Sequence, residues 1–379
     1  MNATPAVDFA PALGLLAIAV VLATGVLGLW WWRQRRAGHA SRRAALTAWA
    51  VFLTADLIVF GAFTRLTDSG LGCPDWPGCY GAASPIGAAS AIDAAERALP
   101  TGPVTATKAW IEMIHRYLAM AVGALLLALN VVLWRSRRAL GQAPMWAAAA
   151  LAWVIVQGLF GKYTVTLRLY PAVVTAHLLG GMVLLALLVA QLQALRPAPT
   201  ASSVRGAGIV LVLLAVQIAL GGWVSSNYAV LACRGFPDCN GQWWPQADFA
   251  EGFTLLRELG RAGAQSYVAF DALVAIHLAH RVFALVLTAA LITLATKLWR
   301  ADRGVHRGSA AMLLALLALQ IGSGLSNVLL DWPLLAALLH TAGAAALVVL
   351  LTSLACRTSG SVASARAAAA AGTWQHRGA

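Results

Sequence analysis

The chain has 379 residues, 60% of them hydrophobic and only 11% charged, against roughly 25% charged in soluble domains. That balance excludes an ordinary soluble globular protein. The net charge of +13 would suit nucleic acid, but its distribution excludes that partner as well, because the arginines cluster at the ends of apolar runs.

Apolar runs need about 20 residues to cross a bilayer core of ~30 Å. Nine such runs are read at about 11–32, 44–64, 107–134, 145–166, 171–195, 207–226, 269–298, 309–330 and 333–355. The chain opens with "MNATPAVDFAPALG", which has no basic residue, and the first run is followed by Arg33, Arg35, Arg36, Arg42 and Arg43. A signal peptide has the opposite polarity, so an uncleaved helix with its N-terminus outside is expected. Further arginines (Arg135, Arg137, Arg138, Arg196, Arg300) fall on that same side, where Asp302 is the one acid. The positive-inside bias therefore places these loops and the C-terminal tail in the cytoplasm. The Ala-rich tail after Cys356 is expected to be disordered.

The second span ends in "VFGAFTR" and runs into "GLGCPDWPGCYG", a compact loop with two cysteines, two prolines and a tryptophan. The sixth ends in "ALGGWVSS" and leads to "CRGFPDC", with the same Cys-x-x-aromatic-Pro-x-Cys plan. Both loops face outward, where disulfides persist. Four cysteines allow three pairings, and the short proline-bent gaps favour Cys73–Cys79 and Cys233–Cys239. Each pair is either redox-active or a staple; the duplication favours a staple at least for the second. Cys356 reads as a plain reduced thiol.

The repeat continues past these loops. Each is followed by a polar stretch and then a helix with His-Arg, "WIEMIHRYLAM" and "VAIHLAHRVFAL". A span with a Gln-Gly signature comes next, "VIVQGLFGK" and "LALQIGSGL", and then one with a histidine soon after a proline, "YPAVVTAHLLGG" and "DWPLLAALLHTAGA". Gln157 and His177 are 20 residues apart, as are Gln320 and His340. The expected fold is an all-α polytopic membrane protein with two pseudo-symmetric four-helix bundles. These would occupy residues 44–195 and 207–355, with residues 1–43 as an extra helix and basic loop, and 356–379 as the tail.

His115, His177, His280 and His340 take matched positions within spans. One membrane histidine reads most simply as a hydrogen bond between helices; four in symmetric pairs read as a site. At 1.5 Å per residue all four lie roughly 9–17 Å below the outer surface, in one layer. Two imidazoles per half at one depth suit bis-histidine haem ligation in a four-helix bundle. Gly180, Gly181 and Gly343 nearby would admit a flat macrocycle. Arg116 and Arg281 follow ligand histidines and would meet haem propionates, or alternatively a carboxylate such as Glu112, Asp56 or Asp271. Zinc fits less well, since His277 and His280 lack completing ligands. Matching the His-Arg pairs sets Glu112 opposite His277. Glu112 shares a helix face with His115, so one half carries an acid where the other carries an imidazole.

Together "FTRLTDSGLGCPDWPGCYG", "WIEMIHRYLA", "VTAHLLGG", "HLAHRVFALV" and "LLHTAGA" resemble the haem A synthase family of cytochrome oxidase assembly proteins, over about residues 44–355. The resemblance implies an enzyme that oxidises one ring methyl of haem O, through the alcohol, to the formyl group of haem A. It implies that His280 and His340 ligate a resident haem b and that His115 and His177 hold the haem O substrate. Glu112 would then be the catalytic acidic residue. It further implies the bacterial inner membrane as location, with periplasmic cysteine loops, and a farnesyltransferase producing haem O and oxidase assembly factors as partners. Two other readings compete. One is a di-haem electron-transfer cytochrome linking quinone to periplasmic thiols; the other is a haem carrier that leaves its cargo unaltered.

Overall fold

The computed structural model describes residues 10–36, 38–196, 204, 206–256, 268–300 and 306–375. These fold into eleven α-helices: α1 (Ala10–Gln34), α2 (His39–Leu66), α3 (Ala89–Ala98), α4 (Ala106–Trp134), α5 (Ala143–Thr166), α6 (Pro171–Ala194), α7 (Ala207–Ser226), α8 (Phe249–Gly252), α9 (Phe270–Arg300), α10 (Arg307–Leu329) and α11 (Leu334–Gln375). Nine of them, all but α3 and α8, are long and apolar enough to cross a membrane. The chain is an all-helical, multi-pass membrane protein. The nine runs read from the sequence correspond to these nine helices one for one.

The described residues separate into two compact units. One lies within 1–135, 147–184 and 254–267; the other lies within 136–146, 185–253 and 268–379. In the first unit α1 packs on α2 and α4, α2 and α3 pack on α4, and α5 meets α6 where Trp153 Nε1 donates to Gly180 O at 2.8 Å. In the second, α7 packs on α9, α9 on α10, α10 on α11 and α11 back on α7, while α8 lies on α9.

Helix starts fix the depth of the histidines. Thr105 caps α4, its hydroxyl oxygen accepting from Lys108 N at 3.2 Å, which satisfies one orphan donor of the first turn. Pro171 opens α6, where its fixed φ and missing N–H cost nothing. Helix ends repeat in matched fashion. Asp68 after α2 and Tyr228 after α7 both adopt left-handed φ (50° and 57°), and so do the pairs Arg168–Leu169 after α5 and Asp331–Trp332 after α10.

The two cysteine loops share a backbone plan. Each has a cis X-Pro bond, Trp76–Pro77 and Phe236–Pro237, and a β-bridge, Cys79 with Ala82 and Cys239 with Gln242. The structure joins Cys73 to Cys79 and Cys233 to Cys239. All four cysteines are buried. The first pair clusters with Leu15 of α1, Ile92 of α3 and Met113 of α4; the second packs with Val274 of α9.

One expectation about the ends of the chain differs. Helix α11 continues to Gln375, so residues 357–375, expected to be disordered, are helical. The run Ala367–Ala371 explains this locally, because alanine has the highest helix propensity of any residue. Residues 376–379 lie outside the described residues.

Candidate functional site

His115 (α4), His177 (α6), His280 (α9) and His340 (α11) are all half-buried, accessible enough to meet a ligand. Each faces a glycine on the spanning helix that precedes its own. A Cβ added at Gly61 would lie 3.0 Å from His115 Cε1; at Gly161, 3.7 Å from His177 Cε1; at Gly221, 3.2 Å from His280 Cε1; at Gly324, 3.3 Å from His340 Cε1. The missing side chain is what lets each imidazole lie against its neighbouring helix. These four seats escape a reading of the sequence, although the segments holding them stand out for their small residues. The signal is present: each seat recurs at the matching place in both halves.

His280 and His340 are brought together, their ring centroids 6.4 Å apart and their planes at 69°. Two imidazoles joined through one metal by bonds of about 2 Å put their centroids roughly 6 Å apart. The pair is thus spaced as two imidazoles that share one metal ion would be. Among the described residues no cluster of three or more His, Cys, Asp or Glu side chains forms a chelating set. In the first unit Phe60 of α2 stacks on His115, with centroids 6.2 Å apart and an interplanar angle of 5°.

The pairs differ behind their rings. Ser323 Oγ lies 3.0 Å from His340 Nδ1 and donates its own proton to Leu319 O at 2.6 Å. The hydroxyl is therefore free to accept from Nδ1–H, which leaves His340 Nε2 as a lone pair. Gln320 Nε2 also donates to His340 O at 2.8 Å. Gln217 Nε2 stands 3.0 Å from His280 Nδ1 and donates to His280 O at 3.1 Å, while Gln217 Oε1 is buried without a partner. By contrast, His115 Nδ1 and His177 Nδ1 are buried without a hydrogen-bond partner among the described residues. The repeat does not single out Ser323 and Gln217, because the matching positions of the first half carry Phe160 and Leu57.

Gly180 and Gly343 have a different occupant from the one expected. A Cβ at Gly180 would collide with Gln157 Nε2, and one at Gly343 would collide with Gln320 Nε2. These glycines admit a glutamine from the adjoining helix rather than a macrocycle. Gly181 faces Ile58.

Glu112 is 3% exposed. Its Oε2 accepts from Cys73 N at 2.8 Å, and its Oε1 pairs with Arg116. Gly72 makes this approach possible, since a Cβ there would run into the Lys108 carbonyl carbon. Arg116 donates from one nitrogen to Asp75 O (2.9 Å), Pro77 O (3.2 Å) and Gly78 O (2.6 Å), and from the other to Cys73 O at 3.4 Å. Of the carboxylates open to Arg116, Glu112 is the one it meets.

His277 takes the corresponding place in the second unit and is 4% exposed. Its Nδ1 lies 3.0 Å from Ala229 O, and its Nε2 accepts from Arg281 Nε at 3.2 Å. Only an Nδ1–H tautomer satisfies both contacts. Arg281 also donates to Asp238 O at 2.9 Å and Cys233 O at 2.6 Å. The exchange of Glu for His follows the loop group presented: a carboxylate answers an N–H, and an imidazole N–H answers a carbonyl.

Known proteins resemble the chain over most of its length. The family model described as cytochrome oxidase assembly protein (COX15-CtaA) matches residues 45–352. The chain is 37% identical over 305 residues to a heme A synthase of Shewanella oneidensis, covering 79% of this chain and 91% of that protein. It is 30% identical over 348 residues to a heme A synthase of Methylorubrum extorquens, covering 84% and 86%, and 30% identical over 346 residues to one of Paracoccus denitrificans, covering 83% and 88%. With the match spanning both histidine pairs and both cysteine loops, the chain belongs to the COX15-CtaA family of cytochrome oxidase assembly proteins.

Proposed function

We propose that this chain is a haem A synthase, a membrane oxidoreductase that converts the methyl group of haem O to the formyl group of haem A for cytochrome oxidase. The observation that carries the detailed assignment is the duplicated layer of glycine-seated histidines, in which only one half has a buried carboxylate beside its ligands. In this reading His280 and His340 hold a resident haem b, and His115 and His177 hold haem O. The resident group would supply one-electron transfer when bound.

The chain's own residues have separable roles. Ser323 fixes the His340 ring with Nε2 directed away from its hydrogen bond, as outer partners of metal-bound histidines do. Gln217 restrains His280 differently, its Nε2 donating to His280 O while lying against His280 Nδ1. Glu112, three residues before His115 on one helix face, is held by Cys73 N–H and Arg116, and would either take up a proton released in the oxidation or stabilise positive charge developing at the methyl carbon. Arg116 and Arg281 keep positive charge at the loop end of the site, where propionate carboxylates would be drawn. The cysteine loops are read as periplasmic and the arginine-rich ends as cytoplasmic, with a haem O-producing farnesyltransferase upstream.

The test is pigment analysis after expression in a host that makes haem O but lacks haem A. Extracted haem A supports the synthase. Recovery of haem O alone, beside a normally folded and haem-loaded protein, would sink it and leave the carrier or the electron-transfer cytochrome.

A further inference from the structure

Asp56 is the one acidic residue of α2, and the chemistry above leaves it unused. It stands ten residues before the end of α2 at Leu66, about 15 Å along the helix axis and deep within the span Ala40–Leu66. Its side chain is exposed, and no hydrogen bond or ion pair of its carboxyl group is found among the described residues. A carboxyl group facing hydrocarbon is costly and marks a functional position by default.

Asp56 does not face featureless lipid. It lines a cleft of about 90 Å³, with Leu57 beside it, Leu118 and Leu125 of α4 opposite, and Leu22 and Val26 of α1 as the outer wall. Among the described residues Asp56 is the only polar one in that wall. The cleft begins next to His115. Phe60, one turn above Asp56 on the same helix stripe, stacks on His115, and Leu118 lies three residues past His115 on α4. From Leu118 to Leu125 the cleft follows α4 for about 10 Å toward the arginine-rich end.

We propose that this cleft takes the first, ring-proximal segment of the hydroxyalkyl isoprenoid chain of the substrate haem, and that Asp56 hydrogen-bonds the hydroxyl of that chain. The inference rests on the reading that His115 and His177 hold haem O. The fit is chemical at each end. The apolar walls suit the isoprenoid. The chain's hydroxyl is on the carbon joined to the ring, so it would stay near the ring edge, and Asp56 stands one helical turn from Phe60, which packs on His115. Haem B lacks both the chain and the hydroxyl, and a site built to hydrogen-bond a hydroxyl rejects an analogue without it. Helix α1, which lies outside the repeat, thereby acquires a purpose in closing the side of the substrate cleft.

The test uses the purified full-length protein with its resident pigment retained, titrated separately with haem O and haem B and followed by Soret difference spectra. Wild type is expected to bind haem O about tenfold or more tightly than haem B. Asp56→Leu should bring haem O affinity down to the haem B level and leave haem B affinity unchanged; Asp56→Asn should keep part of the preference. Val26→Trp, which fills the cleft from α1 without touching the carboxyl group, should weaken haem O and spare haem B. An unaltered resident-haem spectrum shows that each variant is folded. Equal effects on the two haems, or an undiminished preference in both Asp56→Leu and Val26→Trp, overturn the proposal while the synthase reading stands. Failure of the wild type to bind either haem at this site overturns both.

Discussion

In the C-terminal pair, His340 Nδ1 meets Ser323 and His280 Nδ1 meets Gln217, whereas His115 and His177 turn Nδ1 into surroundings that offer no partner. All four rings share the same glycine seating, so duplication has kept the cradle and altered what holds the ring within it. An imidazole pinned through Nδ1 keeps one tautomer and one orientation, as a permanent metal ligand needs. A ring without that restraint can let a ligand come and go, which suits a substrate that must leave as product. The acid shows the same divergence: Glu112 and His277 occupy one structural place, and only the first adds a carboxylate.

The sharpest break of this comparison is to remove one ligand from each pair. His280→Ala should abolish resident haem b and with it all haem A formation, whereas His115→Ala should keep the resident pigment and lose only conversion; visible spectra and extracted pigments measure both. Normal haem b content in His280→Ala would end the assignment. Glu112→Gln keeps the shape of the side chain and removes its proton-accepting power. It should reduce haem A yield by about 100-fold or more with both haems bound, while His277→Gln changes yield far less. Ser323→Ala should speed loss of resident haem to a scavenging protein about tenfold, and Ser323→Thr should restore retention; a purely structural serine would show no such rescue. The smallest contrast lies within the first half. Gly61→Ala forces contact with His115 and should weaken haem O binding about fivefold, roughly 1 kcal/mol, but Gly161→Ala meets His177 at ordinary contact distance and should be silent in the same titration.

How far the sequence leads depends on what each feature is made of. The nine spans, the paired cysteines and the four histidines are legible because hydropathy, loop chemistry and a repeated spacing are written in residue identity. The glycine seats are half legible, visible as small residues but without their partners, because a seat is defined by the ring on another helix. Gly180 and Gly343 read as making room for a macrocycle, yet they make room for Gln157 and Gln320, whose long side chains point across helices that no local pattern connects. The destination of Arg116 is hidden for another reason. Most of its acceptors are backbone carbonyls at residues 73, 75, 77 and 78, and carbonyls have no signature in a sequence.

That last arrangement has a practical consequence. A single guanidinium gathers the turn from Asp75 to Gly78 and at the same time braces Glu112, so the shape of an extramembrane loop is mechanically tied to an acid within the span. Loop edits at those positions, chosen because they touch no haem ligand, will move the carboxylate all the same. Anyone grafting a foreign turn onto this scaffold is also repositioning Glu112, as if by lever.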